Sequence, residues 1–174
     1  MKKIGNSILL ALAAVSLLAA STQNKPEASL AERVRHELVM LPYYNLFDTF
    51  SFRIDGSKVT LYGAVTRPTL KSDAENVVRR LSGVTAVDNQ IEVLPLSPMD
   101  NRIRLAEYRA IYSWPTLWRL ATMPNPPVHI IVRNGTVTLE GVVPTKQDSD
   151  AVFLRANGVP GVFAVENHLT VEKT

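Results

Sequence analysis

An internal repeat constrains the fold of this chain more than any other feature of its sequence. Residues 59–93 align without a gap with residues 137–171, an offset of 78 positions, and 11 of the 35 aligned pairs are identical. The identities fall at glycines and at alternating apolar positions, which mark backbone turns and the core-facing side of strands. A duplication of this kind predicts two similar domains rather than one larger unit.

The repeat divides the chain into a first domain at residues 28–95 and a second domain at residues 99–173. They are joined by Leu94-Pro95-Leu96-Ser97-Pro98. Two prolines within five residues predict a short and fairly stiff linker.

A secretory signal peptide is predicted at residues 1–21. Lys2 and Lys3 precede an apolar run, and Ala19-Ala20-Ser21 supplies the small residues at which signal peptidase cuts. Serine stands where a lipoprotein would carry its acylated cysteine, so no lipid anchor is expected. The alternative is an uncleaved membrane anchor, but an apolar run of about 13 residues is shorter than the roughly 20 that a bilayer requires. A periplasmic protein is therefore expected.

The periodicity of each repeat predicts the order helix, strand, strand, helix, strand. In the first repeat, apolar residues three or four apart at 30–41 and 74–81 predict the helices. Alternation at 50–54 and 59–65 predicts a β-hairpin, and residues 84–93 supply a third strand. The second repeat follows the same order, with an Asn-Gly pair as its hairpin turn.

The expected fold class is α+β, with two tandem αββαβ domains, each a three-stranded sheet covered by two helices. A small sheet with one apolar face needs such a cover, and each repeat supplies two helices. Four glycines at matching positions are predicted to be structural turn glycines: Gly63, Gly83, Gly141 and Gly161.

Composition argues against several classes of function. Without Lys2 and Lys3 the balance is 17 Lys+Arg minus 16 Asp+Glu, or +1, which is too small for a strongly basic nucleic-acid binder. The chain has no cysteine, which excludes disulfides, thiolate catalysis and thiolate metal sites. His129 and His168 lie on the polar side of their strands but lack a third ligand that would define a metal site. No catalytic or phosphate-binding motif is present, so neither an enzyme nor a cofactor is expected.

The stretch from Arg102 to Met123 is the most informative chemically, because arginines alternate there with aromatic and aliphatic residues and both tryptophans fall within it. Ile103, Ala106 and Ala110 are predicted to form the core stripe of a helix. The candidate lipid- or partner-binding residues are Arg104, Tyr108, Arg109, Tyr112, Trp114, Leu117, Trp118 and Arg119.

Tryptophan and tyrosine rings beside arginine suit a bilayer interface, where rings lie at headgroup depth and guanidinium groups meet phosphate. The alternative is that these aromatics fill the interface between the two domains. The matching aromatic segment of the first repeat, residues 42–48, contains no basic residue and is predicted to pack internally.

The repeated patterns VTLYGAV…GVTAVDNQIEV at 59–93 and VTLEGVV…GVFAVENHLTV at 137–171 resemble BON domains (bacterial OsmY and nodulation). The resemblance covers nearly all of the chain beyond the predicted signal peptide. It implies tandem BON domains in an OsmY-like periplasmic protein, without shared catalytic residues, that binds phospholipid in envelope maintenance or osmotic stress. The alternative is a chaperone-like or adaptor protein that binds polypeptide partners through the same aromatic surface.

Overall fold

The computed structural model describes residues 28–123 and 126–172, and the predicted signal peptide lies outside these ranges. The helices are α1 (Leu30–Val39), α2 (Pro68–Arg79), α3 (Pro98–Tyr112), α4 (Trp118–Ala121) and α5 (Lys146–Asn157). The strands are β1 (Thr49–Asp55), β2 (Lys58–Val65), β3 (Ala86–Asn89), β4 (Glu92–Val93), β5 (Val128–Arg133), β6 (Thr136–Val143) and β7 (Ala164–Val171). Within the described ranges, none of these helices has the length and apolar character needed to span a bilayer.

Two separate mixed sheets confirm the α+β class and the tandem arrangement. In the first sheet, β1 pairs antiparallel with β2, and β2 pairs in parallel with β3 and β4 along its other edge. In the second sheet, β5, β6 and β7 repeat this order. The registers also match: Phe52 lies opposite Leu61, and Ile130 lies opposite Leu139. The predicted third strand of the first repeat is interrupted, because Gln90 and Ile91 separate β3 from β4.

Polar side chains fix the starts of three helices. Ser29 and Glu32 form a reciprocal capping box at the start of α1. Ser97 Oγ accepts a hydrogen bond from the main-chain N–H of Asp100 at 3.1 Å, so the end of the predicted linker belongs to α3. Thr145 Oγ1 caps α5 in the same way.

Each domain has its own apolar core between its sheet and its helices. In the first, Val34 and Leu38 of α1 and Ala74 and Val78 of α2 pack on Leu61 and its neighbours. In the second, α3 and α5 cover the alternate residues of β5 and β6 that point inward. These cores follow the predicted stripes of α1, α2 and the strands.

The two domains meet through the sheet faces that the helices leave open. Ile131 of β5 packs against Ala64 and Leu94 of the first domain. Arg133 forms an ion pair with Glu92 across the same junction. The Thr49 hydroxyl donates to the Glu140 carboxylate at 2.7 Å.

The junction loop, residues 43–48, makes a second interdomain contact. The N–H of Ile130 donates to the Leu46 carbonyl at 2.7 Å. Leu46 and Phe47 pack against the core of the second domain. This confirms that the aromatic segment of the first repeat is a packing element.

Gly63 and Gly141, predicted as turn glycines, lie instead within strands β2 and β6, at matching positions and with φ of +130° and +127°. An added Cβ would overlap the main-chain carbonyl of Thr49 at Gly63 and that of Pro127 at Gly141. Because both the φ angle and the neighbouring backbone oppose a side chain, these positions require glycine.

We predict that Gly141→Ala lowers the free energy of unfolding by about 3 kcal/mol or more, since strain and a backbone clash combine. Gly158→Ala is the matched control, because Gly158 has φ −88° and an added Cβ would make only ordinary van der Waals contacts, the nearest with the Arg155 carbonyl oxygen at 3.6 Å; it should change stability by less than about 1 kcal/mol. Urea denaturation followed by circular dichroism measures both. Equal effects of the two variants would contradict the prediction.

Candidate functional site

The helix α3 buries a face that apolar periodicity does not predict. Ile103 and Ile111 are in the core, but Ala106 and Ala110 are only half-buried, so the predicted stripe of Ile103, Ala106 and Ala110 is wrong in part. Two charged residues, Arg104 and Glu107, are buried on this side of the helix where the two alanines were predicted. The buried face of α3 is therefore turned about the helix axis relative to the predicted face.

Three of the candidate binding residues are buried and are therefore removed from any binding surface. Arg104 donates through Nη2 to the Val132 carbonyl at 2.7 Å. The Tyr112 hydroxyl donates to the Val128 carbonyl at 2.8 Å. Leu117 is fully buried in the second core. These side chains secure α3 and the turn after it to the second domain.

The other five candidates are exposed, and we call them the tryptophan surface: Tyr108, Arg109, Trp114, Trp118 and Arg119. Trp118 is 61% exposed and Trp114 is 41% exposed. Tyr108 and Arg109 lie on the last turns of α3, and Trp118 and Arg119 begin α4. The aromatics therefore do not fill the interface between the domains, which was the alternative interpretation.

Leu105, which the sequence places on a second apolar stripe of α3, is 50% exposed, and Met123 is 44% exposed. Sequence reasoning missed one contact of the tryptophan surface. Arg155 of α5 lies over the Trp114 ring, with Cζ 3.2 Å from the ring centroid. Arg155 is 41 residues further along the chain, so only the packing of α3 against α5 reveals it.

The arginines of this region have different surroundings. Arg119 forms an ion pair with the largely buried Asp148 at the start of α5. Arg102 and Arg109 are exposed and form no ion pair within residues 28–123 and 126–172. Their two guanidinium groups are thus available to an anionic ligand.

Asp100, at the start of α3, has a structural role. Its carboxylate accepts hydrogen bonds from the main-chain N–H groups of Asn134 at 3.0 Å and Gly135 at 2.9 Å. These residues form the hairpin turn between β5 and β6, with φ of +50° and +77°. The helix therefore supports the turn that sets the hairpin register.

His129 and His168 both lie on the second sheet. His129 lies opposite Glu140, and Glu140 lies opposite His168 across the second sheet. The Nδ1 of His129 donates to the Asp48 carbonyl at 2.6 Å, and burial lowers the pKa of His129 despite that bond. No cluster of three or more metal-ligating side chains occurs in the part of the chain that the structure describes.

The remaining pair of predicted turn glycines, Gly83 and Gly161, lies in the turns that follow α2 and α5. Both have φ of +90°. Their role is to allow the positive φ angle of each turn, and neither belongs to the tryptophan surface.

Comparison with known families finds a match in both halves of the chain. The BON domain family model matches residues 26–95 and residues 119–173. The matches include both sheets and leave out α3. Most of the tryptophan surface therefore lies in the stretch between them. No curated protein matches the chain.

Among the solved structures that match are two of CdsD, a structural protein of the type III secretion system of Chlamydia trachomatis, and both are only weakly similar. The structure of its C-terminal domain is 18% identical, with a TM-score of 0.30, and the match covers 84% of this chain and 99% of that chain. The other is 17% identical, with a TM-score of 0.29, covering 83% and 93%. Similarity this low carries no information about function.

Glu107 gives a prediction about stability and pH. Its carboxylate is fully buried and neither oxygen has a hydrogen-bond partner in the described residues. Burial raises the pKa of Glu107 from its ordinary value of 4.5 to about 8. Between these two values the folded protein holds a proton that the unfolded chain releases, so stability falls as pH rises from about 4.5 to about 8.

We predict that the free energy of unfolding of Glu107→Gln rises relative to that of the wild type by a few kcal/mol between about pH 5 and about pH 8, because glutamine cannot ionise. The measurement is urea denaturation at a series of pH values. The exposed Glu166→Gln is the control and should follow the wild type throughout. A constant difference between Glu107→Gln and wild type would contradict the prediction.

Proposed function

Because the chain belongs to the BON domain family, we propose that it is a periplasmic, non-enzymatic module that associates with phospholipid membrane surfaces. The observation that carries the proposal is the exposure of Trp114 and Trp118, together with that of Arg109, which forms no ion pair with the described residues. The setting that we propose is envelope maintenance or stress response. The family is of a non-catalytic binding type, which agrees with the absence of a catalytic motif.

The chemistry of the tryptophan surface matches the bilayer interface. Tryptophan and tyrosine rings have an apolar body and a polar tip, so they are stable at headgroup depth. A guanidinium group donates two parallel hydrogen bonds to a phosphate oxygen pair. Arg109 is available for this role, whereas Arg119 is already paired with Asp148.

The Arg155–Trp114 contact orders the ring before any ligand arrives. A cation held over an aromatic face stabilises that ring position by about 0.5–2 kcal/mol. The entropy lost when a bilayer immobilises the ring is therefore smaller. The Trp114 ring is therefore preorganised for binding.

We predict that the double variant Trp114→Ala/Trp118→Ala loses most of its binding to vesicles of phosphatidylglycerol and phosphatidylcholine. The reason is that two partly exposed indole rings supply most of the apolar area available for insertion. Flotation of the vesicles measures the bound fraction. Phe163→Ala is the matched control, because Phe163 is 76% exposed but lies in the turn before β7. Equal, negligible binding by wild type and double variant would refute the proposal.

A second prediction separates a lipid surface from a polypeptide partner bound at the same place. Binding to anionic vesicles should fall steeply from low salt (~0.05 M) to high salt (~0.5 M), whereas binding to an apolar polypeptide should change little. Arg109→Ala should weaken vesicle binding about fivefold, since one basic residue near an anionic surface contributes about 1 kcal/mol. The exposed Arg53→Ala, in the first sheet, should leave it unchanged. Salt-independent binding would favour the adaptor function.

A further inference from the structure

The strand β1 forms an edge of the first sheet, and a groove separates it from α1. A cavity of about 330 Å³ is lined on the helix side by Arg35, Leu38 and Val39 and on the strand side by Phe50 and Phe52. It adjoins a second cavity of about 450 Å³ that runs past Tyr44 toward the second domain. Its lining is mainly apolar, with the exposed Arg35 at its side.

The second domain shows what such a groove holds. In its equivalent edge strand, β5, the N–H of Ile130 donates a hydrogen bond to the Leu46 carbonyl at 2.7 Å. Leu46 and Phe47 pack on the core of that domain. Phe47 and Leu105 of α3 also line one cavity. The groove between α3 and β5 is therefore occupied by a short polypeptide segment with two adjacent apolar side chains.

The same hydrogen-bonding group is available in the first domain. Phe52 is the counterpart of Ile130, since the two lie 78 residues apart and face equivalent partners, Leu61 and Leu139. The N–H of Phe52 therefore points to the open edge of β1, as that of Ile130 points to the open edge of β5. In residues 28–123 and 126–172 no group accepts a hydrogen bond at that edge.

We propose that the groove between α1 and β1 binds a polypeptide segment of another protein. The segment carries two adjacent large apolar residues and a nearby carboxylate. Its main-chain carbonyl accepts the Phe52 N–H, and its carboxylate meets Arg35. Its apolar side chains cover Phe52 and Val39, beside the Tyr44 ring, which stacks on Phe50 with the ring centroids 5.0 Å apart. Main-chain bonding to a sheet edge supplies affinity, and the groove selects side chains.

This site is separate from the tryptophan surface, which belongs to the second domain. Lipid association and peptide binding are therefore independent properties. Loss of one leaves the other unaffected, so the failures of the two proposals are distinguishable.

The probe is a peptide of residues 43–49, Tyr-Tyr-Asn-Leu-Phe-Asp-Thr, which contains the segment that the second domain already holds. Hydrogen exchange of the whole protein, read residue by residue by NMR, measures its binding. We expect the peptide at ~1 mM to slow exchange of the Phe52 amide at least tenfold. It should also shift the resonances of Arg35 and Val39. The same peptide with alanine in place of leucine and phenylalanine should have neither effect.

Val39→Asp should abolish the peptide effect, because it puts a charge in the apolar part of the groove at a position already 37% exposed. Leu154→Asp on α5, at a residue 71% exposed, is the matched control and should retain it. No change at Phe52 with peptide would overturn the proposal. So would a change at Ile130 alone, which would mean that the peptide displaces the junction loop. Strong protection of Phe52 without peptide would also overturn it, since the groove would then already be filled.

Discussion

The buried carboxylate of Asp48 fixes the loop that joins the two domains. It is fully buried, and it accepts hydrogen bonds from the Thr66 N–H at 2.6 Å, the Thr66 hydroxyl at 2.8 Å and the Asn45 N–H at 3.2 Å. A buried carboxylate is costly unless donors of this kind surround it. With the loop held in this way, the Leu46 and Asp48 carbonyls are placed to meet β5 of the second domain. The interdomain contact thus depends on a polar cluster inside the first domain.

The parts of the fold that could be predicted from sequence are those determined within a few residues. The Asn134-Gly135 pair adopts the positive φ angles of a tight hairpin turn, and Ser29 caps its own helix. Alternating strand residues identify which face is buried, since a slip of one residue would expose the whole set. Tertiary packing agrees with these local preferences, and the same pattern occurs in both repeats.

The candidate site was harder to predict because the partners of its polar residues are distant in sequence. Apolar periodicity treats Arg104 as a surface residue, yet a β5 carbonyl 28 positions away makes its burial possible. Glu107 is a stronger exception, since it is buried without any partner in the described residues. Arg155 could not be linked to Trp114 before α5 was placed beside α3. Composition alone also left the exposure of the tryptophans open, because the same aromatic residues suit either a binding surface or an interface between the domains.

The two repeats share a fold but differ in which of its surfaces are covered. In the second repeat, α3 is longer than α1, the tryptophan surface extends from its last turns to α4, and the edge of β5 is covered by the first domain. In the first repeat, the shorter α1 leaves Phe50 and Phe52 only partly covered, and the edge of β1 has no partner in the described residues. The second domain therefore completes its core with Leu46 and Phe47 of the first, whereas no residue of the second domain joins the core of the first within the described ranges. Among the described residues one groove is thus filled from within the chain and its counterpart is not, and the proposal of a peptide-binding groove rests on this difference between two otherwise similar domains.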